Sequence, residues 1–290
     1  MKVGKKSEEV SVKMYQGVAS LNILSVNPSK EELSQLLGRE MQRDIQYLSK
    51  DDAGNDRIML SLWCKTDKDS GVNNGIELIL PVTFSLVNTE RAQSKNGKIQ
   101  VIDKYGRSAW VTPEEFDSKA IPQYASGPAN ISSDYHRAMP GEETLMELMK
   151  SWLNIPDVTV YNSNSKLWEP NSKVEAVDCE MSLDYNKLFK GDVSEISSLI
   201  KDAAGYAFKA AIGIRTDDKG YQHQNVYTGE FLKNGARKYD GLMNSIISSQ
   251  TAGSYSTTEF DCKPLHEYSP KETSFEENSG EKLSDDNPWA

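Results

Sequence analysis

The hydrophobic pattern along this chain alternates between the two-residue period of half-buried strands and the helical period, and the strands dominate. Residues 15–26 carry Val18, Leu21, Ile23 and Val26 as apolar anchors of a strand, which Asn27-Pro28 breaks. Ser29-Lys30-Glu31-Glu32 has the form of a capping box, and Leu33, Leu36 and Leu37 follow as a short helix ended by Gly38. Ile58, Leu60 and Leu62 alternate through residues 57–65, residues 67–75 form a polar turn, and residues 75–87 alternate around Pro81 as an edge or bent strand. Lys95-Asn96-Gly97-Lys98 signals a hairpin into a strand over 99–103, and residues 105–111 predict another. Thr112-Pro113-Glu114-Glu115 opens a short helix with proline at its first position.

Residues 121–141 are rich in Pro, Ser, Gly and Asn and predict a long loop. Residues 142–153 form the clearest helix, with Leu145, Leu148, Met149 and Trp152 on one face and Pro156 beyond its end. Strands are expected at 157–161 and 174–181. A helix with Val193, Ile196, Leu199 and Ile200 on one side is capped within 192–195. Residues 205–216 alternate strictly, with Tyr206, Phe208, Ala210, Ile212 and Ile214 pointing one way. Tyr206 and Phe208 are assigned to the core, and Asp217-Asp218-Lys219-Gly220 turns the chain into a returning strand over 221–231. A helix over 237–248 and a last strand over 255–262 complete the folded part. Strands and helices do not alternate as βαβ units, so a doubly wound parallel sheet is not expected. The pattern predicts a mainly β, α+β body: a small oligonucleotide-binding-like (OB-like) barrel of antiparallel strands with inserted helices. The expected organisation is a flexible arm at 1–10, a folded body at 11–266 and a disordered acidic tail at 267–290.

Composition sharpens the tail. Apolar residues make up only 37% of the 290, and the formal charge is −10. Between Glu267 and Ala290 seven acids face two lysines, a net −5, so the tail carries half of the negative charge and the body the other half. Such a segment cannot bury enough apolar surface to offset its ordering entropy. No stretch approaches the roughly 20 apolar residues of a membrane span, and residues 1–10 lack an apolar signal core. Cys64, Cys179 and Cys262 are odd in number and widely spaced, which fits a reducing compartment rather than a disulfide framework. The expected location is the cytoplasm, or the host cytoplasm for a viral protein.

Catalytic signatures are missing. There is no phosphate-cradling glycine loop, dinucleotide fingerprint or nucleophile elbow. His136, His223 and His266 stand apart from any zinc-finger spacing, and the adjacent acids Asp51-Asp52 and Glu142-Glu143 read as solvated charge or helix-start partners. No enzyme activity, cofactor or metal is expected. Two segments interleave cations with aromatic rings, the pairing that holds single-stranded nucleic acid without sequence preference. One is Lys98, Lys104, Tyr105, Arg107 and Trp110, in which strand geometry puts Tyr105 and Arg107 on one face and Trp110 on the other. The other is Arg215, Tyr221, His223 and Tyr227, followed by Lys233, Arg237, Lys238 and Tyr239. Tyr124, Tyr135, His136 and Arg137 form a third group on the long loop. Each aromatic taken singly also suits a structural role in a strand.

The chain ends Asp285-Asp286-Asn287-Pro288-Trp289-Ala290. Acids, a proline and an aromatic in this order resemble the C-terminal tip of bacterial and tailed-phage single-stranded-DNA-binding proteins. The departure is a tryptophan followed by Ala290 where the usual tip ends on phenylalanine. Residues 104–112, Lys-Tyr-Gly-Arg-Ser-Ala-Trp-Val-Thr, and residues 17–33 are similar to replication-module proteins of large tailed phages. The resemblance implies an OB barrel without catalytic activity that binds single-stranded DNA in phage replication or recombination. It also implies a tail that competes with DNA for the basic groove and recruits replication or recombination proteins through Asp285, Asp286, Pro288 and Trp289. Homo-oligomerisation is left open. The alternative is a phage structural or accessory protein whose acidic tail only solubilises it. A metal-dependent nuclease using scattered acids is a third, minor reading.

Overall fold

The computed structural model describes residues 12–14, 17–66, 77–89, 94–125, 127–155, 159–170, 183–216, 222–234 and 266–268. The helix expected over 237–248, the strands expected over 174–181 and 255–262, and the tail beyond Tyr268 lie outside them. In chain order the elements begin with β1 (Val12–Met14), β2 (Gly17–Val26), α1 (Lys30–Leu37), β3 (Leu48–Lys50), β4 (Asp56–Thr66) and β5 (Ile79–Val87). They continue with β6 (Ser94–Lys95), β7 (Lys98–Asp103), β8 (Ser108–Val111), α2 (Pro113–Ser118), β9 (Gln123–Tyr124), β10 (Gly127–Pro128) and β11 (Tyr135–Arg137). Then come α3 (Glu142–Trp152), β12 (Thr159–Asn162), β13 (Leu167–Pro170), α4 (Tyr185–Leu188) and α5 (Ser194–Asp202). The last are β14 (Phe208–Thr216), β15 (Gln222–Val226), β16 (Leu232–Lys233) and β17 (His266–Tyr268).

The fold is mainly antiparallel β, as the alternation predicts. Its main sheet has seven strands. β2 lies at its centre, paired to β4 on one side and β14 on the other. β5 runs along the outer edge of β4, and β15 and β16 pair with the outer edge of β14. The sheet curls far enough that β15 comes into contact with β5 at its opposite end. One face of each strand is therefore enclosed. Ala19, Leu21, Ile23 and Val26 of β2, Ile58, Leu60, Leu62 and Cys64 of β4, Leu80, Val82 and Leu86 of β5, and Phe208, Ala210 and Ile212 of β14 form one core. The break at Asn27 is a polar clamp: its Nδ2 donates to the Met59 carbonyl and its Oδ1 accepts from the Ser61 amide.

Between β5 and β14 the chain makes its excursion. α3 returns Leu145, Leu148, Met149 and Trp152 to the main core, and α5 adds Ile196. A second sheet is built around β7, with β8 on one edge and β6 and β11 on the other. Its own core is Val101, Ala109, Val111, Ala129, Ile131 and Tyr135, capped by Ile99 and Phe116. Two of the helix starts that the sequence marks are capping boxes: Ser29 with Glu32 and Thr112 with Glu115 each exchange side chain and backbone bonds. Gly38 ends α1 in the left-handed conformation.

Several expectations are corrected. The long loop at 121–141 contains β9, β10 and β11, because Tyr135–Arg137 finds a free edge of β7 to pair with. Lys104 and Tyr105 lie in the β7–β8 turn, since β8 begins only at Ser108. Tyr206 precedes β14 and is 53% exposed, so it is not a core residue, whereas Phe208 is fully buried. The α5 start has no side-chain cap on its N-cap, Val193; Asp192 instead accepts from the Ser194 amide.

The main sheet meets the segment leading into α3 at a tight contact. The β5 amide of Val87 donates to the Pro140 carbonyl, and Gly141 caps α3 with φ +87°. A Cβ placed on Gly141 would stand 2.0 Å from the Ser85 carbonyl oxygen. Gly141→Ala is expected to destabilise the protein by about 2–4 kcal/mol, combining a left-handed backbone with displacement of β5. Urea unfolding of the two proteins measures it.

Candidate functional site

The segment 104–107 is the tip of the β7–β8 hairpin, and a buried carboxylate shapes it. Asp103 has no exposed side-chain surface. Its Oδ1 accepts from the Tyr105 and Arg107 amides at 2.9 and 3.0 Å, and Gly106 completes the turn at φ +70°. Its Oδ2 accepts from Arg107 Nε at 2.8 Å, Arg107 Nη2 at 2.6 Å and the Ser132 amide at 2.9 Å. Arg107 also donates to Asn130 Oδ1 at 3.2 Å. Its guanidinium lies 4.8 Å from the Tyr105 ring centre, and Lys104 Nζ lies 5.3 Å from it. The expected site residues Arg107 and Tyr105 are thus committed to this turn, and only Lys104 of the three is exposed.

Strand parity separates the rest. Trp110 stands opposite Gln100, on the face of the small sheet away from Val101, Ala109 and Val111. Lys98, half-buried, lies across from Lys95 at the hairpin start. Arg137 is exposed on β11, its guanidinium 4.9 Å from the Phe116 ring, while Lys119 Nζ sits 4.6 Å from both the Phe116 and Tyr135 rings. Tyr135 is a core residue whose hydroxyl donates to the Glu115 and Ala120 carbonyls; burial, then the Glu115 charge, pushes its pKa up. In the main sheet, Arg215 pairs with His223 between β14 and β15, and Lys233 pairs with Phe208. Tyr227 packs with Leu232 over Val18 and Ala211 on the outside of β2 and β14. The expected residues that are described therefore fall in two separate places, the small sheet and the β14 side of the main sheet. Tyr221, Arg237, Lys238, Asp285, Asp286, Pro288 and Trp289 lie outside the described residues.

A row that the sequence reading missed runs along the outer face of β4 and β5. The alternation that sends Ile58, Leu60, Leu62 and Cys64 inward turns Arg57, Met59, Ser61, Trp63 and Lys65 outward. Their partners on β5 are Val87, Ser85, Thr83, Pro81 and Ile79. Arg57 is exposed and donates to Ser85 Oγ at 3.0 Å. Lys65 meets Glu77 at 2.9 Å in an exposed ion pair, which is weak and easily exchanged. Trp63 is half-buried, and its indole Nε1 is buried without a hydrogen-bond partner. Eight strand steps separate Arg57 from Lys65, roughly 26 Å at the usual rise. The row thus presents a ring between two cations, with small or hydroxyl side chains beside it.

Other features carry less chemistry. A cavity of about 530 Å³ is lined by Glu143, Thr144, Glu147, Thr228, Gly229 and Glu230, an acidic wall unsuited to phosphate. Cys64 is wholly buried, and burial pushes its thiol pKa up, away from the reactive thiolate. Among the described residues no group of three His, Cys, Asp or Glu is arranged to hold a metal ion, and no helix is long and apolar enough to cross a membrane.

No family model, curated protein or solved structure matches the chain.

Asp103→Ala would leave the Arg107 guanidinium facing a vacated, water-poor site. It is expected to cost about 3–5 kcal/mol of stability, and Asp103→Asn less. Denaturant midpoints of both variants against the parent test the ranking.

Proposed function

We propose that the chain is a non-enzymatic protein that binds single-stranded DNA without sequence preference, in phage replication or recombination. Its curled sheet then acts as an OB-type barrel. The observation that supports this most is the combination of strand order and outer row. Numbering the five longest strands of the main sheet, β2, β4, β5, β14 and β15, as first to fifth, the first pairs with the second and fourth, the third with the second, and the fifth with the fourth. The fifth approaches the third. In this reading that order corresponds to the Greek key of a five-stranded OB barrel, with α3 inserted between the third and fourth strands. In such barrels the face of the second and third strands receives the nucleic acid, and here that face carries Arg57, Trp63 and Lys65.

In this reading Trp63 stacks on a base, Arg57 and Lys65 meet phosphates, and Glu77 gives up Lys65 when the strand arrives. Lys98, Lys104, Trp110 and Arg137 extend the surface over the small sheet, while Tyr105 and Arg107 serve by holding the hairpin tip in shape. Arg215, Tyr221, Tyr227, Lys233, Arg237 and Lys238 keep the role of a second, flanking cation and aromatic group. The tail, through Asp285, Asp286, Pro288 and Trp289, recruits replication proteins and competes with DNA for the cationic row.

Titration of the full chain with a homopyrimidine strand is expected to quench tryptophan emission, with affinity falling steeply as salt rises. Trp63→Ala is expected to lose about 1–3 kcal/mol of binding. Arg57→Ala and Lys65→Ala should each lower the salt slope by about 0.7. Deleting residues 269–290 should tighten binding. Absence of binding at low salt by both the full and the shortened chain would sink the proposal.

A further inference from the structure

We propose that His136 and Glu142 form a pH-operated latch that holds the small sheet against helix α3, whatever the barrel binds. Glu142 is the first residue of α3, and its side chain has no exposed surface. Three donors from three parts of the chain converge on it. His136 Nε2 on β11 lies 2.9 Å from Oε1, the Tyr185 hydroxyl on α4 lies 2.9 Å from the same atom, and the Met139 amide lies 2.9 Å from Oε2. The next residue, Glu143, accepts from Gln100 Nε2 at 2.5 Å and from Ser108 Oγ. Against these polar contacts the apolar joint is small: Ile102, Ala138 and Met146, with Tyr185 packed beside them. The seam between sheet and helix is therefore governed by two carboxylates, and His136 is the donor among their partners that can gain a charge in the physiological range.

The surroundings of His136 fix the direction. Glu142 faces it from α3, Lys119 from the end of α2, and Asp103 from β7, the last already matched by Arg107. The hydrogen bond to Glu142 is the leading influence and raises the His136 pKa above its ordinary 6.5, with burial and Lys119 opposing. The ring is 56% exposed, so water can deliver and remove the proton. A folded-state value above the unfolded one stabilises the latched form fully below about pH 6.5, and that contribution is lost as pH rises through the folded-state value. The latch is thus tight in mild acid and slack in base, by about tenfold in its equilibrium for each unit by which the pKa is raised.

The test uses the full chain and His136→Gln, which keeps a neutral donor on an exposed side chain. Imidazole NMR from pH 5 to 9, with the variant assigning the His136 signal, is expected to give a midpoint above 6.5. Glu142→Gln is expected to bring that midpoint down. Amide exchange, corrected for intrinsic rates, is expected to speed up at residues 101–103 and 135–137 relative to residues 58–65 as pH passes the midpoint. That change should be absent from His136→Gln. A midpoint at or below 6.5, or identical exchange profiles in the parent and His136→Gln, overturns the latch. The exchange comparison stands even if Glu142→Gln does not fold.

Discussion

The start of α3 is positioned by the place where Gly141 meets β5. The missing side chain lets the start of α3 approach the Ser85 carbonyl more closely than any Cβ would allow. The same approach brings the Pro140 carbonyl to the Val87 amide, so an edge group of β5 is satisfied by the chain that leads into the helix. From that contact α3 runs inward with Leu145, Leu148, Met149 and Trp152 filling the space the curled sheet encloses. Its first residues, Glu142 and Glu143, take hold of the small sheet on the other side. One backbone contact therefore ties the edge of the main sheet to the start of its core helix, and the two glutamates that follow attach the second sheet.

Two buried carboxylates repeat one physical solution. Asp103 and Glu142 both lie where desolvation is costly, and each is surrounded by donors that reach it from different segments. Asp103 draws the hairpin tip and the 130–132 loop together, and its compensating charge, Arg107, is held four residues away. Among the described residues Glu142 forms no ion pair with a lysine or arginine. Its compensation comes from neutral donors, from the helix start and from a histidine whose charge depends on pH. The first joint is consequently fixed and the second adjustable, although both are built from the same kind of side chain.

The strands that alternate most cleanly, β2, β4 and β14, are where periodicity predicts them, because one face of each is enclosed in a single core. The Ser29 capping box was equally legible, since every atom involved lies within four residues, whereas the Thr112 start was marked by its proline. What escaped the sequence was which side chains and strand edges become partners. Tyr105 and Arg107 look like a base-stacking pair until Asp103 is seen to occupy the guanidinium. Tyr135, within a stretch that reads as loop, is core because β7 has an edge to offer it. Arg57, Trp63 and Lys65 were present in the same alternation that revealed β4. Their importance depends on which strand lies beside them and on which face is left uncovered, and periodicity reports neither.

Charge gives the outer row its orientation. The described body is not basic, so a polyanion gains little from approaching it at random. Glu143, Glu147 and Glu230 line a cavity between α3 and the chain after β15, and their field repels phosphate from that side. Arg57 and Lys65 stand near the two ends of β4, with Trp63 between them and no acid in the row itself apart from Glu77, which is paired to Lys65 beside it. Under the proposed reading, a strand drawn to the two cations lies along β4 rather than across it, and its bases pass over the indole. In that reading the direction of binding follows from the spacing of two charges on one strand.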